Sequence, residues 1–158
     1  MRTTSTNYSG RLVDMLVFQN TNPSGKKRIE MTFGEGGLLT TGIQKVAQTF
    51  TTILLTDTGT VYDQPDYGTD FVRSIQNGIA HTEDGLKSSF SLAVAEVKRI
   101  MSTAALNNNL PEDEQLEDAE LLDYELDKAT GKIGITVGIV AVAGPGTTIY
   151  IPVSVPIQ

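Results

Sequence analysis

The residue types that most often carry chemistry are scarce in this chain of 158 residues, which has no cysteine and a single histidine, His81. A disulfide framework, an iron-sulfur cluster and a thiolate zinc site are excluded, and one imidazole leaves no spare part for a Cys-His or Ser-His-Asp nucleophile. His81 lies near Glu83 and Asp84 but has no partners at zinc-ligand spacing, so it reads as a loop residue. A glycosidase needs two carboxyls about 5 Å or about 6.5–9.5 Å apart, one of them raised in pKa by its surroundings. The 19 acidic residues here offer no way to choose such a pair. Gly34-Glu35-Gly36-Gly37 lacks the spacing of a phosphate-cradling loop, and a flexible connection outweighs that reading by about nine to one. No catalytic residue, cofactor or metal is assigned, and the chain is expected not to be an enzyme.

What remains is charge placed for contact. The formal net charge is −7, which argues against a phosphate-tracking nucleic-acid binder and in favour of protein partners. Residues 1–30 hold Arg2, Arg11, Lys26, Lys27 and Arg28 against Asp14 and Glu30, a net +3 that leaves −10 in the rest. Nine of the 19 acidic residues fall between Glu112 and Asp127. That stretch shows no calcium-loop spacing, and a solvated face accounts for it at about 75%, with docking of a basic partner taking most of the remainder. Lys26, Lys27 and Arg28 are candidates to meet such a face on a neighbour, although a charged turn that keeps a hairpin soluble is about twice as favoured. Glu96 and Arg99 are three apart on a predicted helix, the spacing of a surface ion pair worth a few tenths of a kcal/mol. The opening MRTTSTNYSG has no apolar signal-peptide core, and no run approaches the roughly 18 apolar residues that cross a bilayer. The expectation is a soluble chain with no membrane partner.

The elements that must position these residues follow from periodicity. Residues 11–20 (RLVDMLVFQN) and 27–33 are apolar and β-prone around the turn cluster Asn22, Pro23, Ser24, Gly25, which predicts a hairpin. Thr41-Gly42-Ile43-Gln44 has the form of a capping box and opens a helix whose face carries Ile43, Val46, Phe50, Ile53 and Leu54. Thr56 to Gly59 ends it. Thr69 and Asp70 begin a short helix closed by Asn77-Gly78, and Thr82, Glu83 and Asp84 start a third helix of about five turns with Leu86, Phe90, Val94, Val97, Ile100 and Met101 along one face.

The period then changes to two. Leu122, Tyr124 and Leu126 alternate with Asp123, Glu125 and Asp127. In residues 132–143, Ile133, Ile135, Val137 and Ile139 face one way and Val140 and Val142 the other, as in a central strand covered on both faces. After Gly144-Pro145-Gly146 the alternation of Ile149, Ile151, Val153 and Val155 gives a last strand. Pro152 cannot donate to a ladder and marks it as an edge or a bulge, with Tyr150 and Pro152 as candidate contact residues. The expected fold is one α+β domain of two layers, about three helices on an antiparallel C-terminal β-meander with an N-terminal β-hairpin.

The segment GGLLTTGIQKVAQTFTTILLTDTG, continued by QPDYGTDF, resembles the baseplate wedge and sheath-initiator family of contractile-tailed phages and related injection machines. The residues that carry the likeness are Ile43-Gln44, Leu54-Leu55-Thr56, Gly59 and the step from Pro65 to Thr69, and it covers about residues 33–155. Two positions depart from the family pattern. Gly59-Thr60-Val61 stands where members often have Gly-Glu-Arg, and Glu96-Val97-Lys98-Arg99 where they commonly have Glu-Pro-Arg. The resemblance implies a structural component of the virion tail baseplate, present in the host cytoplasm during assembly, in about six copies around the tube. Its implied partners are the tail sheath, other wedge proteins and the tail tube or hub, with residues 1–34 a hairpin extension and 35–158 the wedge-like core. Some relatives carry a historical lysozyme label, which nothing in this sequence supports.

The residues point the same way without the name. Sheet edges on the hairpin and the last strand can accept or donate a strand, and the charged segments 26–28 and 112–127 can set register between neighbours. The rival expectations are a stand-alone protein-binding module and, further off, a peptidoglycan-cleaving glycosidase.

Overall fold

The computed structural model describes residues 13–21, 28–31, 39–127 and 132–154. Four short strands come first: β1 (Asp14–Met15), β2 (Phe18–Thr21), β3 (Arg28–Met31) and β4 (Leu39–Thr40). Strand β2 pairs antiparallel with β3, from Phe18 opposite Met31 to Thr21 opposite Arg28, so the predicted hairpin forms over a shorter span; its turn lies outside the described residues. The first predicted strand is split at Leu16 and Val17, because β1 instead pairs with β4. A buried glutamine fixes the split: Val17 N–H donates to Gln48 Oε1 (2.8 Å) and Gln48 Nε2 donates to the Met15 carbonyl (2.9 Å).

Helix α1 (Gly42–Leu55) buries Val46, Phe50, Ile53 and Leu54 on the predicted face, with Ile43 partly buried beside them. Its threonines are accommodated by hydrogen bonds back to the preceding turn, Thr51 Oγ1 to the Ala47 carbonyl and Thr52 Oγ1 to the Gln48 carbonyl, both 2.9 Å. The expected capping box does not form. Thr41 occupies the cap position in extended conformation, but its hydroxyl takes no capping bond. Gly42 N–H donates instead to Glu114 Oε1 (3.2 Å), while Lys45 Nζ pairs with Glu114 Oε2 (2.8 Å). A carboxylate at the positive end of the helix dipole is a stronger acceptor there than a neutral hydroxyl.

Helix α2 (Phe71–Gln76) closes at Asn77 and Gly78, whose φ of +76° suits glycine. A single 3-10 turn, Ile79–His81, leads to α3 (Glu83–Asn108), where Thr82 caps the start by accepting from Gly85 N–H (3.1 Å). The predicted stripe is in place: Leu86, Phe90, Val94, Val97 and Met101 are buried, Ile100 partly so, and Phe90 meets Phe71 edge-on at 6.0 Å. The helix runs 26 residues, beyond the five turns expected, because Ala104, Ala105 and Leu106 favour its continuation until Asn109 takes a left-handed φ ahead of Pro111.

Strands β5 (Leu116–Asp127), β6 (Lys132–Ala141) and β7 (Gly146–Ser154) form an antiparallel meander in the order β5-β6-β7. The helices cover one face, and the buried residues of α1, α2, α3 and the meander make one cluster. The architecture is thus α+β, with three helices, a C-terminal meander and an N-terminal hairpin. Two expectations about the sheet are corrected. Bulges between Leu116 and Asp118 and between Leu121 and Asp123 shift the phase of β5. The inward set is therefore Leu116, Ala119, Leu121, Tyr124 and Leu126, and Leu122 points to the far face, exposed. The central strand β6 is not covered by a second layer, since Val140 and Val142 remain 40% and 42% exposed. Its far face is sheltered locally by neighbours lying over glycines: Tyr150 over Gly134 and Leu122 over Gly138. The β6–β7 register has no shift, so Pro152 sits on an outer strand of this sheet and not at a bulge.

Candidate functional site

The residues between α1 and α2 fold into a hydrogen-bonded joint. Thr69 N–H donates to the Thr56 carbonyl (2.8 Å) and Thr58 N–H to the Thr69 carbonyl (3.3 Å), forming a parallel bridge between Asp57 and Thr69. The buried Thr69 hydroxyl donates to the Leu54 carbonyl (2.8 Å) and accepts from Phe71 N–H (3.2 Å), so one side chain ties the end of α1 to the start of α2. Gly68, at φ +110°, lets the chain pass so closely that a Cβ would stand 2.4 Å from the Thr56 carbonyl oxygen.

Beside this joint an open groove of about 670 Å³ runs between the 57–70 segment, α2 and α3. Phe71 and Ala93 contribute apolar wall, and Ile79 and Leu92 stand exposed on its sides. The predicted pair Glu96 and Arg99 lies at one end: Arg99 Nε contacts Glu96 Oε2 (2.9 Å), and its guanidinium also donates to the Asp66 carbonyl (3.2 Å). Both partners of the ion pair are about half exposed, so the pair itself is worth only a few tenths of a kcal/mol. The added bond to Asp66 gives Arg99 a positioning role that its spacing alone does not reveal. Arg73 holds the same segment from α2, contacting Asp70 Oδ1 (3.0 Å) and the Thr58 carbonyl (3.4 Å).

The second surface is the far face of the meander with its two outer strands. Leu122, Val140, Val142, Tyr150 and Pro152 give it apolar character, and Tyr150 Oη donates to Glu125 Oε2 (3.5 Å). Burial pushes the Tyr150 phenol above its ordinary pKa, and Glu125 adds to the shift. Strand β5 carries Glu117, Asp118, Glu120, Asp123, Glu125 and Asp127 along an outer edge. Like charges and bulges on an edge discourage indiscriminate pairing and favour a partner that supplies positive charge. Helix α3 is latched along β5 by Lys98 Nζ to Asp118 Oδ1 (3.2 Å) near one end. Near the other, Glu83 bonds Lys87, which lowers its carboxyl, and also Tyr124, whose phenol it raises.

The sequence-predicted contact residues therefore fall on three places. Glu96 and Arg99 are brought together at the groove, and Tyr150 and Pro152 share the far side of β7. Arg28 begins β3, which lies close to β7; Lys26 and Lys27 lie outside the described residues. His81 is exposed on its turn, and the acidic stretch is not one solvated face, because Glu114 is 3% exposed and caps α1. Among the described residues no three His, Asp or Glu side chains gather as a metal site, and no helix is long and apolar enough to cross a membrane. The residues that sequence reasoning missed are Glu114 and Gln48, each a polar side chain whose partners lie over 30 positions away. What these surfaces offer chemically is backbone edges, a groove and complementary charge. No protein-family model matches the chain, and no curated protein matches it.

Proposed function

We propose that the chain is a structural protein of a contractile tail baseplate, a wedge component that helps attach and initiate the sheath around the tube. The observation that carries the reading is the joint between α1 and α2. The ordered motif residues Leu54, Thr56, Gly59 and Gly68-Thr69 each have a distinct backbone role in it, so the likeness lies in a shared piece of architecture. The far face of the meander supports the same reading, because an apolar face flanked by an acidic outer strand suits a protein partner. On this reading the partners are the tail sheath, other wedge proteins and the tube or hub, with about six copies per baseplate. The chain acts in the virion after assembly in the host cytoplasm. Deleting the gene and imaging the particles by electron microscopy tests it: tails arrested without sheath, restored by the intact gene, are expected. Normal sheathed tails would overturn the proposal and favour a stand-alone binding module.

A further inference from the structure

The Gln48 side chain is 6% exposed, yet both halves of its amide are engaged by a segment more than 30 residues away. Its oxygen takes the Val17 N–H and its nitrogen gives to the Met15 carbonyl, the donor and acceptor pair that one residue of a strand would present. This seat reads backbone and is indifferent to the side chains that pass over it. Beside it β1 and β4 pair over only two residues each, and Met15 and Leu39 are left 56% and 53% exposed. We infer that the seat formed by Gln48 and β4 accepts extended backbone from a second copy of this chain, so that neighbouring copies exchange the arm of residues 13–21.

Two opposed requirements support exchange. An empty seat strands a buried amide without partners, so an occupant is required. The arm, however, is held in its own chain by few buried apolar contacts, so it opens at low free energy. A second copy's arm is identical in sequence and satisfies the seat equally well, and the uncovered apolar patch around Met15 and Leu39 argues for a further protein surface there. Three of the seven residues between Met31 and Leu39 are glycine, the type with the widest backbone freedom. The inference does not depend on the proposed function.

The absence of native cysteine makes the test direct. Met15 and Leu39 are Cα partners, a spacing that a disulfide spans, and both are exposed enough to tolerate replacement. Full-length Met15→Cys carrying one tag is mixed with Leu39→Cys carrying another, oxidised, and resolved on a non-reducing gel. Exchange gives a cross-tag dimer severalfold above the same-tag dimers, and it falls to their level when Gln48→Leu is added to the Leu39→Cys copy. If that variant fails to fold, Gln48→Glu, which keeps the acceptor and loses the donor, gives a partial fall. Cross-tag dimers no more abundant than same-tag ones, or unaffected by either Gln48 change, would overturn the inference.

Discussion

Replacing Gly68 by alanine probes the joint between α1 and α2 most sharply when the same change is made at Gly59. Both glycines hold positive φ, +110° and +85°, so either substitution strains the backbone by about 1–2 kcal/mol. Around Gly59 no heavy atom stands within 4 Å of the new Cβ, and the strain is the whole cost. At Gly68 the new Cβ meets the Thr56 carbonyl oxygen at 2.4 Å and the Asp57 carbonyl carbon at 3.1 Å, backbone atoms that cannot swing aside. Moving them breaks the bond from Thr69 N–H to the Thr56 carbonyl, about 1 kcal/mol. It also pulls the buried Thr69 hydroxyl from the Leu54 carbonyl, which costs about 1–3 kcal/mol if it is left unpaired. Gly68→Ala should therefore lose about 3–5 kcal/mol and Gly59→Ala about 1–2 kcal/mol. Urea titration reads the difference as midpoints separated by about 1 M or more at unchanged slope. Equal losses, or a milder effect at Gly68, would refute the close approach on which the joint depends.

Thr82→Ala removes the cap on Gly85 N–H and should cost about 1 kcal/mol in a thermal melt. Glu114→Ala deprives both Gly42 N–H and Lys45 of a buried carboxylate and should cost about 2–4 kcal/mol, with Glu114→Gln recovering part of it by keeping an acceptor for Gly42. Burial raises the Tyr67 and Tyr150 phenols above 10.0, so the folded chain keeps protons that the unfolded chain has already released. The stability they contribute is full below pH of about 10 and is lost as pH rises through the raised values; alkaline urea titrations should show a shallower fall in Tyr150→Phe. Replacing Lys26, Lys27 and Arg28 together by Glu should weaken assembly with tail components at low salt in sedimentation, and no change would remove the electrostatic part of the account.

Helix periodicity was legible because it is local. The stripes of α1 and α3, the cap at Thr82 and the stop at Gly78 each depend on residues within a turn or two, and each lies where spacing predicts. The capping box at Thr41 failed because its competitor, Glu114, is 72 positions away and no local pattern encodes it. Bulges hid the phase of β5, since one inserted residue reverses every side chain beyond it. The alternation of β6 revealed its direction but not its cover, because what shelters Gly134 and Gly138 comes from Tyr150 and Leu122 on adjoining strands. At the groove, the spacing of Glu96 and Arg99 announced their pairing, whereas the bond from Arg99 to Asp66 needed the 57–70 segment to be folded back first.

The central claim is that this chain works as a built part of a contractile tail. Affinity capture of the tagged full-length chain from its native source, with partners identified by mass spectrometry, tests that claim most directly. The account predicts recovery of tail sheath, tube or wedge proteins, reduced in Gly68→Ala where the joint is disturbed. A clean monomer recovered with no tail component would contradict it.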